Sequence, residues 1–186
     1  MKKFINITLA LLVSLFIFSC RNDDDAVPED VHEHDEIGKV VLTLTNKADA
    51  SDVHTVSVIA GKADKHLHLH AGDTYLAVLD FQIAHDDHYH SSDEIEEEKD
   101  HHFITFAPAN ADITVLRAAN DVVRTDGQKL GLRTEWKINS LQSTGKMNIK
   151  LVHGPATVNQ NYPSATNQLG QTTGGETDVD ITVEAH

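Results

Sequence analysis

From residue 37 onward the apolar side chains of this 186-residue chain recur almost wholly with period two, and that alternation confines it to β structure. Residues 40–45, 53–59, 75–83, 103–106, 113–116, 130–138, 147–152 and 179–183 each read as a strand, rich in Val, Ile, Thr and aromatic residues. Turn signals separate them: Asn46-Lys47-Ala48-Asp49, Ala71-Gly72-Asp73, Ala107-Pro108-Ala109-Asn110, Thr125-Asp126-Gly127 and Thr144-Gly145. About eight short strands in one domain over residues 37–186 predict an all-β fold, an antiparallel immunoglobulin-like β-sandwich. One short acidic helical turn is expected within residues 92–100, where Ser92 is a candidate cap and Ile95 is the single apolar residue. Residues 154–176, rich in Asn, Gln, Thr, Ser and Gly, read as a long polar connection that is either mobile or functional.

The amino terminus predicts a compartment. Lys2 and Lys3 precede an apolar run over residues 4–18, the pattern of a secretory signal, and the run is short for a bilayer span. Ile17-Phe18-Ser19-Cys20 resembles a bacterial lipobox, which implies cleavage after residue 19 and a lipidated Cys20, with palmitate among its acyl chains. Cys20 is the only cysteine, so no disulfide framework and no Cys-rich zinc site is expected. Residues 20–36 have the composition of an acidic, His-containing flexible tether. Removal of Lys2 and Lys3 takes the formal charge from −14 to −16, which disfavours nucleic acid and anionic surfaces as partners and favours cations. The acidic run after Cys20 also resembles the signal that carries Bacteroidota lipoproteins to the outer leaflet of the outer membrane.

Thirteen histidines carry the chemical signal. In His66-Leu67-His68-Leu69-His70 a metal-ligating side chain alternates with an apolar one, so a strand there would set His66, His68 and His70 in a row with Leu67 and Leu69 in the core. A hairpin turn at residues 71–74 is expected to bring residues 75–83 back beside that row. A second cluster comprises His85, Asp86, His88 and His90, with His101 and His102 after an acidic run. Imidazoles among carboxylates suit a borderline transition metal, zinc or copper. His32 and His34 are candidates for a collecting arm in the tether, while His153 reads as structural or a bystander and His186 as unconstrained. No catalytic residue is expected: the chain has no His-Glu-x-x-His helix, no Gly-x-Ser-x-Gly elbow and no phosphate-cradling glycine loop.

Asp93-Glu94-Ile95-Glu96-Glu97-Glu98-Lys99-Asp100-His101-His102-Phe103, residues 132–138, Thr144-Gly145-Lys146-Met147-Asn148-Ile149-Lys150-Leu151-Val152-His153 and Gly174-Gly175-Glu176-Thr177-Asp178-Val179-Asp180-Ile181-Thr182-Val183 together resemble a family of small Bacteroidota lipoproteins. That family often bears the label "type 1 periplasmic binding fold superfamily". The two α/β lobes that the label denotes do not fit so short and strand-rich a chain. The resemblance implies an outer-membrane location and a TonB-dependent receptor as partner, and it supplies no activity to carry over. Three readings therefore stand, in this order: a lipid-anchored protein that captures zinc or copper for a receptor, a structural or interaction lipoprotein that docks on a receptor or binds another ligand such as haem, and, more distantly, a metalloenzyme.

Overall fold

A computed structural model describes residues 36–186, so the signal segment, Cys20, His32 and His34 lie outside the described residues. The described chain is all-β and antiparallel, as the period-two pattern requires. Its main sheet has eight strands: β1 (Ile37–Asn46), β2 (Val53–Ile59), β3 (Lys62–Ala63), β4 (Thr74–His85), β5 (His88–Ser91), β6 (His102–Arg117), β7 (Arg133–His153) and β12 (Glu176–Glu184). Four short strands lie between β7 and β12: β8 (Thr157–Asn159), β9 (Pro163–Ser164), β10 (Asn167–Gln168) and β11 (Gln171–Thr173).

The sandwich expectation meets one hydrogen-bonded sheet that curls on itself, in the order β12-β7-β4-β1-β2-β3, with β6 on β7 and β5 on β4. The long β6–β7 hairpin makes the curl. Residues 133–137 of β7 pair with β4, whereas residues 146–153 pair with β12 along the same edge. Between these stretches the β6–β7 register breaks near Ala109–Ala111 and Asp112–Ile113, and such irregularities bend a ladder and let a strand pass from one layer to the next. The break also keeps the inward face apolar: Trp136 and Ile138 are buried before it, and Met147, Ile149 and Leu151 after it, with the parity switched. All five share one core cluster with Leu42 and Leu44 of β1, Tyr75 and Leu79 of β4, and Ile181 and Val183 of β12.

Two apparent turns thus lie inside continuous strands. Pro108 has no N–H to give, yet it is tolerated because β6 is an edge strand beside a register break. Thr144-Gly145 belongs to the opposite side of that break, where the Asn110 side chain donates to the Thr144 hydroxyl at 3.2 Å.

The 66–70 segment does not pair with β4. Leu67 instead forms a parallel bridge to Ala185, with its N–H on the Glu184 carbonyl at 2.8 Å and its own carbonyl accepting from the His186 N–H at 3.0 Å. This bridge closes one end of the seam between β12 and the β3 edge. At the other end the seam stays open as a cleft of about 390 Å³ between Asp178–Ile181 of β12 and the ends of β1 and β2, with Tyr89 on its wall.

The helical turn is α1 (Glu94–Glu97), preceded by Asp93 rather than capped by Ser92. Its one apolar residue does bury: Ile95 enters the core and pins the acidic turn to the curled sheet. Residues 154–176 are also more ordered than a free connection, forming the ladders β8–β11 and β9–β10. They cover the outer edge of β6. Asn167 Oδ1 accepts the Val115 N–H at 3.0 Å, Gln168 Oε1 accepts the Arg117 N–H at 2.8 Å, and the Leu169 carbonyl accepts from Phe106. An exposed edge is a template for unwanted pairing, and side-chain acceptors remove it. Alanine at both Asn167 and Gln168 is expected to cost about 1–2 kcal/mol in urea unfolding and to increase concentration-dependent association in light scattering.

Candidate metal centre

Three strands bring His102, His153 and Asp178 together at one end of the curled sheet. His102 and His153 are direct partners in the β6–β7 ladder, so their side chains share a face, and that face continues into Ile104 and Leu151 of the core. Asp178 arrives by a bulge. Thr177 pairs with Val152 and Val179 with Leu151, which leaves Asp178 as an extra residue on β12. An extra residue re-aims its side chain, here toward the histidine pair.

The distances suit a shared ion. Asp178 Oδ2 lies 3.8 Å from His102 Nε2 and 3.7 Å from His153 Nδ1, and the two rings stand edge to face with centres 4.9 Å apart. Two ligand atoms on a tetrahedral zinc, at bonds of 2.0–2.2 Å, are about 3.3 Å apart, so the carboxylate needs to close on each histidine by only a few tenths of an ångström, and all three ligand atoms already lie within 4.8 Å of one another.

His102 is held for this role. Its Nδ1 lies 3.1 Å from the Glu98 carbonyl, which can only accept, so in the neutral ring Nδ1 carries the proton and Nε2 keeps its lone pair toward Asp178. A backbone acceptor on the far nitrogen is the usual way of orienting a metal-binding imidazole. The docked α1 turn presents that carbonyl, and the buried Arg124 guanidinium donates to the carbonyls of Lys99 and His102 on either side. Burial lowers the pKa of His102 below its ordinary value, with His153 adding to the effect and the Glu98 carbonyl and Asp178 opposing it. The ring is therefore neutral at neutral pH. The His102 side chain is 4% exposed and that of Asp178 32%, so solvent reaches the centre from the carboxylate side, where Asp178 also lines the open cleft.

The lowered pKa fixes the sign of a pH effect. Below about 6.5 the unfolded chain binds a proton at His102 that the folded chain resists, so this residue's contribution to stability is present above that pH and declines as pH falls toward the depressed folded value. Metal-free protein should lose stability in urea between pH 7 and 5, and His102→Asn should flatten that loss. An unchanged slope in the variant would remove His102 as its source.

The other candidate ligands fall into separate groups. His66, His68 and His70 are exposed and alternate with the buried Leu67 and Leu69, as the sequence pattern requires. His66 and His68 stand beside His186, while His70 lies past the bridge and takes no part in those ring contacts. His85, His88 and His90 converge on one face of the β4–β5 hairpin, with ring centres 5.6, 5.9 and 6.4 Å apart. Asp86 stands in the turn, its Oδ2 3.5 Å from His85 Nδ1. The twelve residues of β4 span about 36 Å, which puts this cluster and the 66–70 segment at opposite ends of the strand. His101 is exposed, with its ring centre 6.2 Å from that of His153 at the margin of the three-strand centre.

The sequence pattern singles out His102, gives His153 as structural or a bystander, and assigns Asp178 no role. Only the strand register joins them. The available signal was the pairing of two long strands, in which His102 and His153 mark the outer ends of one hairpin. No protein-family model matches the chain, and no curated protein or solved structure matches it either.

Proposed function

We propose that this chain is a non-catalytic, lipid-anchored outer-membrane protein whose β domain binds zinc or copper and presents it to a receptor of the TonB-dependent kind. The observation that carries the reading is the convergence of His102, His153 and Asp178, with the His102 proton held on Nδ1 by the Glu98 carbonyl. Two nitrogens and a carboxylate oxygen leave room for a fourth ligand, the arrangement of an exchangeable rather than a closed structural site. The exposed His85, His88 and His90, beside Asp86, offer a weaker collecting surface, and the acidic chain draws cations toward both. The anchor rests on the lipobox resemblance around Cys20. No helix among the described residues is long and apolar enough to cross a membrane.

Calorimetric titration with zinc and then copper tests the reading. Micromolar or tighter binding at pH 7.5 is expected, weakening markedly at pH 5.5 as protons compete with the metal for the imidazole nitrogens. Absence of binding at pH 7.5 would leave the receptor-docking or haem-binding reading in its place.

A further inference from the structure

At the opposite end of β12 a second group of imidazoles stands where the curled sheet closes. Leu67, Leu69 and Ala185 point inward and are buried, so their neighbours His66, His68, Glu184 and His186 all face outward from the same parallel bridge. Three backbone hydrogen bonds hold the two segments together: Leu67 N–H to the Glu184 carbonyl at 2.8 Å, His186 N–H to the Leu67 carbonyl at 3.0 Å, and Leu69 N–H to the His186 carbonyl at 3.2 Å. The ring of His186 meets both others edge to face, its centre 5.2 Å from that of His66 and 4.8 Å from that of His68.

We infer that His66, His68 and His186 form a second transition-metal site, with Glu184 orienting His66, and that an ion bound there locks the seam of the sheet. Imidazoles sharing one tetrahedral zinc at 2.0–2.1 Å have ring centres about 5 Å apart. His186 meets that spacing with each of the other two rings, and side-chain rotation of the exposed His66 and His68 would have to bring the third pair and the ligand nitrogens into range. Glu184 Oε2 lies 3.1 Å from His66 Nε2 and so holds the proton on that nitrogen, leaving Nδ1 as the ligand atom. The other carboxylate oxygen of Glu184 is 3.3 Å from Lys146 Nζ, which fixes the carboxylate in turn. Glu184 and Asp178 are about 20 Å apart along β12, too far to share an ion.

The ligands come from two segments joined by a single bridge, His66 and His68 on one side and His186 on the other. One ion would cross-link them and oppose local opening where the curl closes. The site rests on the reading of the domain as a binder of transition metals, but not on the three-strand centre at the other end.

The test is hydrogen exchange of the full chain by NMR with zinc alone as the probe, set beside zinc stoichiometry for two double variants. Saturating zinc is expected to slow exchange of the Leu67, Leu69 and His186 amides at least tenfold. His68→Asn with His186→Asn should abolish that slowing and remove one bound ion, whereas His102→Asn with His153→Asn should leave the slowing intact. Zinc that binds without slowing these amides, or equal stoichiometry in the seam variant, would overturn the seam site while leaving the three-strand centre standing. A chain that binds no zinc at all would overturn both.

Discussion

Alanine at both His102 and His153 is expected to weaken zinc binding at the three-strand centre by at least a hundredfold, while alanine at both His88 and His90 leaves that affinity unchanged. Loss of a single outer partner of a ligand already costs about 10–100-fold, and the first change removes two of three ligands. Asp178 would remain alone, and a partly exposed carboxylate is a weak zinc site. Asp178→Asn should fall between, because it removes charge but keeps an oxygen at the end of the bulge. Competition with a chromophoric chelator at pH 7.5 reads all three. A thermal melt of each variant separates lost affinity from lost fold, since His102 is buried and its replacement has a structural cost as well.

The second large effect is expected at Arg117, which takes no part in metal binding. Arg117→Ala should cost about 3–5 kcal/mol in urea unfolding, the usual range when one member of a buried charged network is removed. Its guanidinium is buried beneath the cover of residues 154–176. Nη1 donates to the Lys129 carbonyl at 2.9 Å, Nη2 donates to the Ile104 carbonyl at 2.7 Å, and the plane lies over Phe103 at 4.3 Å from the ring centre. Burial brings its pKa down to about 10, so it stays protonated at neutral pH and supports the buried Asp121 carboxylate. Burial raises the pKa of Asp121, against the opposing effects of the Arg133 and Gly131 N–H groups and of Arg117 itself. Without the arginine, two carbonyls lose their donor and a buried carboxylate loses its cation. Gly131 and Gly170 are part of the same device: both have positive φ, and a Cβ on either would collide with the guanidinium. Gly170→Ala should therefore destabilise as well. A change under 1 kcal/mol for Arg117→Ala would mean that the cover over β6 is held by other contacts.

The strands were legible because a half-buried strand writes its two faces into the sequence. β2 occupies the residues its alternation predicts, and the 66–70 segment obeys the pattern although it belongs to no strand of the main sheet. What alternation cannot write is which strand lies beside which. The expectation that residues 66–70 pair with β4 failed because Leu67 finds its partner at Ala185, far along the chain. Ala107-Pro108-Ala109-Asn110 and Thr144-Gly145 carry turn chemistry, yet they face each other across the register break where the β6–β7 hairpin curls. The centre was hidden for the same reason. His102 stood out in its acidic surroundings, but His153 gained meaning only from its register with His102, and Asp178 only from the bulge after Thr177.

Diffraction from zinc-soaked crystals, measured on both sides of the zinc absorption edge, tests the central claim most directly. The account predicts an anomalous peak within bonding distance of His102 Nε2, a ring nitrogen of His153 and an Asp178 oxygen. Zinc found only on exposed histidines, with these three side chains unbridged, would contradict it.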